Sequence, residues 1–344
     1  MHYSHISLYP LAYQLPPLVV TSDDIERQLE PVYRRLKLPA GRLELMSGIK
    51  ERRFWDKGTL PSQGAAMAGK KALIAAETDP GEIDCLIFTS VSRDMMEPAT
   101  AAFVHRQLGL PERCQIFDIS NACLGFLNGM IVLANMIELG QVKKGLIVAG
   151  ETAEELVATT IDHLVADDTL TRKTIKSSFA SLTIGSGAVA MVMGDNRLHD
   201  TGHTLLGGVC RANTSQNDLC HGGKDGLQGT LMATDSEELL KQGVATAAQT
   251  WSDFKNVMGK DAENIDRFFC HQVGKAHAQL LFEALALNPE KNFETLPFLG
   301  NVGSVSAPVT MAIGIEQEAI LPGQKAALLG IGSGINCLML GIQW

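Results

Sequence analysis

What the sequence lacks narrows the field first. It has no apolar run approaching the ~20 residues that span a bilayer. Its opening stretch, residues 8–20, is broken by Pro10, Pro16 and Pro17 and has no signal-peptide pattern. It has no excess of positive charge: a formal net charge of -9 argues against nucleic acid as the main partner. Small anionic ligands are not excluded, because they respond to local charge. It has no regular cysteine framework, and seven cysteines at irregular spacing fit a reducing, cytoplasmic compartment. The adjacent pairs Cys220-His221 and Cys270-His271 have no second pair at ligand spacing, so no metal is assigned.

What is present is enough apolar sequence for a large core. The chain is 45% hydrophobic and 19% charged. At 344 residues it exceeds the usual single core, so two halves are expected. Short apolar runs at residues 85–89, 114–117, 145–149 and 267–270 read as buried strands. Between them lie helical stretches at 63–76, 100–108, 126–139, 236–257 and 275–287. That alternation predicts an α/β fold with a parallel or mixed sheet covered on both faces. A Gly-broken strand at 182–193 closes the first half, 1–195, and residues 196–344 repeat the element order. No repeat is visible in the residues themselves. Residues 1–20 predict one strand, 152–176 a polar inserted loop or helical excursion, and 213–230 a Gly-rich loop.

The chain is organised around Asp118-Ile-Ser-Asn-Ala-Cys123-Leu-Gly125. An apolar strand precedes it and an apolar helix follows, which puts Cys123 at a helix N-terminus. Unpaired N–H groups and the helix dipole at such a point stabilise a thiolate and lower its pKa. That is where a nucleophilic cysteine belongs. An inert core cysteine fits the local pattern equally well.

Other candidates have two readings each. His271 follows a short strand and suits a base or a hydrogen-bond donor, or a structural imidazole. Asn301, in Leu299-Gly-Asn-Val-Gly-Ser304, suits a turn or a catalytic donor. Lys50, Arg52, Arg53 and Lys57 surround Phe54 and Trp55: a phosphate and ring-stacking site for a nucleotide-like group, or a solvated face. Glu97, after Met95-Met96, is a base in apolar surroundings or a helix cap. Gly330-Ile-Gly-Ser-Gly334 mimics a dinucleotide loop, but too little chain follows for the βαβ unit that motif needs. A strand bend that brings backbone N–H groups close to a ligand suits it better.

In order, Ser120-Asn-Ala-Cys-Leu-Gly125, Cys270-His-Gln272 and Gly300-Asn-Val-Gly-Ser304 resemble the thiolase-fold condensing enzymes of the β-ketoacyl-acyl-carrier-protein synthase III type. The resemblance is nearly full length. It implies a five-layered αβαβα fold of two similar halves and a homodimer. It implies Cys123 as acyl acceptor, with His271 and Asn301 as donors to a thioester oxyanion. The N–H groups of Cys123 and Ser333 would form the other oxyanion hole. Coenzyme A thioesters would be substrates, with no resident cofactor. The chain departs from the family at His271-Gln-Val-Gly274, where the usual fourth residue is Asn, and at Ser333, usually Gly. Ser92-Arg-Asp-Met-Met-Glu-Pro98 resembles instead the olefin-pathway branch, which joins two long-chain acyl-CoAs head to head and uses this glutamate, across the dimer, as base. A malonyl donor makes its carbanion by losing CO2, whereas a second acyl-CoA must lose a Cα proton. Glu97 supplies a base for that step. Met95, Met96, Phe103 and Leu124 line alkyl channels or simply fill the core. The rival readings are a decarboxylative synthase docked to acyl carrier protein, with Lys143, Lys144, Arg172 and Lys173 as thin docking cations, a thioester hydrolase, and an idle acyl-binding homologue.

Overall fold

The computed structural model describes residues 1–224 and 230–344. A ten-stranded sheet runs through it. Nine strands lie side by side in the order Arg267–Cys270, Lys325–Gly332, Asn336–Gln343, Thr204–Ala212, Ile6–Leu8, Gly187–Asp195, Lys144–Glu151, Cys85–Phe88 and Gln115–Asp118. The tenth, Ala12–Gln14, pairs beside Gly187–Asp195.

This order contains one pattern twice. Cys85–Phe88 pairs parallel to Lys144–Glu151, which pairs antiparallel to Gly187–Asp195, which pairs antiparallel to Ile6–Leu8. Arg267–Cys270, Lys325–Gly332, Asn336–Gln343 and Thr204–Ala212 repeat parallel, antiparallel, antiparallel. The two sets meet at Ser7 and Thr204.

Side-chain alternation turns this sheet into five layers. On Lys144–Glu151 and Gly187–Asp195, residues Ile147, Ala149, Val189, Met191 and Met193 enter one core, while Leu146, Val148, Ala188, Ala190 and Val192 enter another. On Lys325–Gly332 and Asn336–Gln343, Ala326, Leu328, Leu338, Leu340 and Ile342 share the first core, and Ala327, Leu329, Cys337 and Met339 enter a third. The shared core holds the helices Gly125–Glu138 and Ser306–Glu316, which bury nearly every side because sheet covers them on both sides. Pro61–Ala75 packs on one outer face and Ser236–Met258 on the other. The succession is helix, sheet, helix, sheet, helix, as expected of the thiolase fold.

Three local expectations change, and the excursion at 152–176 takes its helical form. Residues 1–20 form three short strands, Ile6–Leu8, Ala12–Gln14 and Leu18–Thr21. The polar excursion at 152–176 contains the helix Glu154–Ala166, which packs Val157, Ile161 and Leu164 against Ile25, Leu29 and Val32 in a fourth core. Within the expected loop at 213–230, Cys220–Lys224 pairs with Thr230–Thr234; the loop's residues 225–229 lie outside the described residues. The run at 114–117 becomes Gln115–Asp118 at the sheet edge, with Gln115 and Ile116 exposed rather than buried.

Candidate active site

Cys123 stands on a sharp turn between the edge strand Gln115–Asp118 and the helix Gly125–Glu138. Ala122 adopts a left-handed conformation, φ +46°, which a non-glycine residue holds only when its surroundings enforce it. Three asparagines provide part of that enforcement: Asn336 Nδ2 donates to Asn121 Oδ1 at 3.0 Å, and Asn121 Nδ2 donates to Asn128 Oδ1 at 2.7 Å. Gly125 allows the rest, because a Cβ there would lie 2.1 Å from the Thr89 carbonyl oxygen. The glycine-rich turn also closes on the cysteine. A Cβ on Gly332 would sit 3.1 Å from Leu124 Cγ and 3.6 Å from the Cys123 nitrogen. The close backbone approach expected of residues 330–334 is therefore present, and Ser333 lines the same cavity as Cys123.

That cavity is about 910 Å³, within the range of small-molecule sites. It brings together Cys123, His271, Asn301 and Ser333. His271 follows Arg267–Cys270 and is held by its N–H, which donates to the Leu329 carbonyl at 2.8 Å. Its Nδ1 is buried and has no hydrogen-bond partner among the described residues. Burial, then the neighbouring His277, lowers its pKa to about 4, so the ring is neutral at physiological pH. Asn301 is buried, and its Oδ1 accepts from the Gly303 N–H at 3.1 Å. The end left for a ligand is its NH2, a donor. Met95 and Met96 line the wall, whereas Leu124 is core and Phe103 is not part of the lining.

The thiol departs from expectation. Burial first, then the charge of Glu151, pushes Cys123 up to about 12. Desolvation and the Glu151 charge thus both favour the thiol over the thiolate at this turn. Glu151 was not evident from the sequence. It ends the central strand Lys144–Glu151, is buried, and accepts five hydrogen bonds: from Val91 N (2.9 Å), Ser92 N (3.0 Å) and Oγ (2.7 Å), and Ser304 N (3.2 Å) and Oγ (2.8 Å). It ties residues 91–92 to residues 303–304 beside the nucleophile.

The nucleotide-like site does not form. Strand alternation on Glu51–Phe54 turns Arg52 inward, where it is fully buried and donates to Ser22 Oγ at 3.2 Å and the Leu182 carbonyl at 3.0 Å. Trp55 is buried too, its Nε1 donating to the Glu151 carbonyl at 3.0 Å. Arg53 is half-buried, and none of the three lines the cavity. Of the docking cations, Lys144 pairs with Glu82 at 2.9 Å, and Arg172 donates to the carbonyls of Leu36 and Lys37 at 2.7 Å each. Glu97 is exposed and lies outside its own chain's cavity lining.

A thiol that shares one cavity with an amide and an imidazole can take an acyl group as a thioester beside groups able to hold the oxyanion that forms. On five αβαβα layers, that chemistry places the chain among the thiolase-fold acyltransferases. Residues 117–214 match the family 3-oxoacyl-acyl-carrier-protein synthase III, and residues 257–344 match that family's C-terminal part. An acyl-CoA:acyl-CoA alkyltransferase of Shewanella oneidensis is 42% identical, with 100% of both chains covered. The crystal structure of cerulenin-bound Xanthomonas campestris OleA superposes with a TM-score of 0.95 at 37% identity, covering 100% of this chain and 98% of that one. A structure of the same enzyme with its cysteine changed to serine, holding lauric acid and lauroyl-CoA, has a TM-score of 0.94 at 37% identity over 99% of this chain and all of that one. Forms with one glutamate or one histidine substituted match as well. The chain belongs to the acyl-CoA:acyl-CoA alkyltransferase branch of the synthase III family.

Proposed function

We propose that this protein condenses two long-chain fatty acyl-CoAs head to head, as a cytoplasmic homodimer dividing near residues 195/196 into a nucleophile half and a donor half. Cys123 attacks the first thioester: its sulfur bonds the acyl carbon, the bond to coenzyme A breaks, and coenzyme A leaves as the thiol carrying the proton. Glu97 of a second copy then takes a Cα proton from the second acyl-CoA. The carbanion attacks the acyl-S-Cys123 carbonyl, forming the carbon–carbon bond and expelling Cys123. Asn301 and His271 donate to the thioester oxygen on which charge develops, and the N–H groups of Cys123 and Ser333 do so for acyl transfer. The expelled Cys123 thiolate is reprotonated by the proton taken up at Glu97, and water cleaves the β-ketoacyl thioester, giving the β-keto acid and the second coenzyme A as its thiol.

The observation that carries this reading is the segment at 91–98. Met95 and Met96 stand at the rim of the cavity and are themselves exposed, and the next residue, Glu97, is exposed just outside the lining. A carboxylate just past the wall of its own site, three residues before Thr100, whose N–H donates to Asp118 at the end of the edge strand Gln115–Asp118, is available to a second copy. In the Xanthomonas campestris enzyme, the substituted glutamate precedes the substituted cysteine by the same number of residues as Glu97 precedes Cys123.

The test mixes the protein with myristoyl-CoA alone, followed by intact-protein mass spectrometry and product analysis. A Cys123 adduct with a β-keto acid or its ketone supports the reading. An adduct that yields carbon–carbon product only after malonyl-carrier protein is added replaces it with the decarboxylative reaction, and free fatty acid as sole product replaces it with hydrolysis. In Glu97→Ala, acylation stays within twofold while condensation falls about 100-fold or more; equal loss of both steps removes Glu97 from the chemistry.

A further inference from the structure

The donor half holds a second imidazole that the scheme above does not use. His277 is the third residue of the helix Lys275–Leu285 and lines the same cavity as Cys123, His271 and Asn301. The residue before that helix, Gly274, presents no side chain, and His277 takes up the space beside it. A Cβ built on Gly274 would stand 3.5 Å from His277 Nδ1, in ordinary contact. Gly274 itself is extended, φ 178°, so its backbone accepts any side chain. The imidazole thus stands where a side chain at 274 would reach.

His277 neighbours His271 in this cavity, and its charge state bears on that ring. Burial keeps His277 below the usual histidine pKa, and a first-turn position disfavours a cation further. A neutral imidazole carries one N–H donor and needs no counter-ion.

Resting on the condensation reading, we infer that His277 binds the thioester end of the second acyl-CoA, donating a hydrogen bond from the place left open by Gly274. The ligand is a fatty acyl thioester, and the residue orients it against the acyl-S-Cys123 group.

The experiment separates the two half-reactions. Cys123 is first loaded with a myristoyl group, and a lauroyl-CoA of different mass is then titrated in single turnover. In His277→Ala, loading stays within twofold of the unsubstituted protein, and this also reports that the site is folded. The lauroyl-CoA concentration giving half-maximal condensation rises tenfold or more. His277→Phe, which fills the space without a donor, behaves like His277→Ala. Gly274→Asn added to His277→Ala restores an amide donor to that space and recovers most of the loss. An unchanged half-saturation, an equal loss in loading, or full activity in His277→Phe overturns the inference. If the unsubstituted protein condenses only with malonyl-carrier protein, the reading of its second substrate fails on its own. The same split with that donor still supports the role of His277, and its absence overturns it.

Discussion

The two halves build the cavity from equivalent strands and equip them in opposite ways. Lys144–Glu151 and Lys325–Gly332 occupy the same place in the repeated pattern, and both end at the cavity. The first ends in Glu151, whose carboxylate is saturated by five donors. The second ends in Gly332, where the backbone comes close to Cys123. Around the first, asparagine side chains and a glycine contact fix the nucleophile's turn. Around the second, His271 Nδ1 is buried without a partner among the described residues, and the Asn301 amide keeps its NH2 end for a ligand. The Glu151 clamp has its carboxylate satisfied, although Asp94 Oδ2 in the same cavity wall is buried without a partner among the described residues; the second strand end keeps His271 and Asn301 groups in reserve. A buried donor without a partner costs about 1–3 kcal/mol. Such a group recovers that cost when a ligand oxygen arrives, which suits a site that must stabilise a transient oxyanion. The chemistry lies in the strand ends and not in the scaffold they share.

The most drastic way to break this contrast is at the clamp's backbone. Gly125→Ala forces a Cβ to 2.1 Å from the Thr89 oxygen, a backbone atom that cannot rotate away. The helix start and the Cys123 turn must move together. The expected outcome is loss of the Cys123 adduct in mass spectrometry and a lower melting temperature. Adduct formation at the original rate would show that the tight approach is not needed.

A milder break removes the charge of the clamp and keeps its shape. Glu151→Gln leaves one acceptor oxygen where five donors converge, and an NH2 facing donors. The expected cost is on the order of 3 kcal/mol in thermal or denaturant unfolding. The same change removes the negative charge that helps raise the Cys123 pKa, so iodoacetamide alkylation of Cys123 moves to lower pH. Destabilisation without that movement would make Glu151 a brace alone.

How much of this contrast the sequence carries depends on the reach of each contact. The Cys123 turn is legible because strand, cysteine and helix are contiguous, and the glycine-rich turn because Gly330 and Gly332 signal close approach. The Asn121–Asn336 link joins residues 215 apart, and no local pattern announces it. Glu151 left a faint signal: a lone carboxylate directly after a fully buried apolar strand. His277 left another, sharing a four-residue spacing with the buried Leu281 and Leu285. Arg52, Arg53 and Trp55 are neighbours in sequence, but neighbours along a strand do not share one face. Strand period two sends Arg52 into the core, where burial lowers its pKa to about 10. The thiol pKa misled because a helix terminus is visible in sequence and desolvation is not.

The smallest expected effect tests the reserve half directly through pH. His271 is held neutral in the fold, with its pKa lowered from 6.5 to about 4, and it protonates freely once the chain unfolds. A group whose folded pKa is depressed in this way stabilises the fold above pH 6.5 and loses that contribution as pH falls toward 4. The loss is at most about 3 kcal/mol, reduced by whatever water reaches the ring. His271→Asn removes the titration and keeps a side chain able to donate. Melting temperatures measured between pH 7 and 4 therefore fall less steeply in His271→Asn than in the unsubstituted protein, and the difference between the two curves moves in the variant's favour toward the acid end. The residual slope in the variant is shared by His277 and His203, both lowered by burial, and by carboxylates held low such as Glu138, and His277→Gln in the same background removes the His277 share. Parallel curves across the whole range would mean that the imidazole of His271 reaches water, and that the donor half is not held dry and neutral for a ligand.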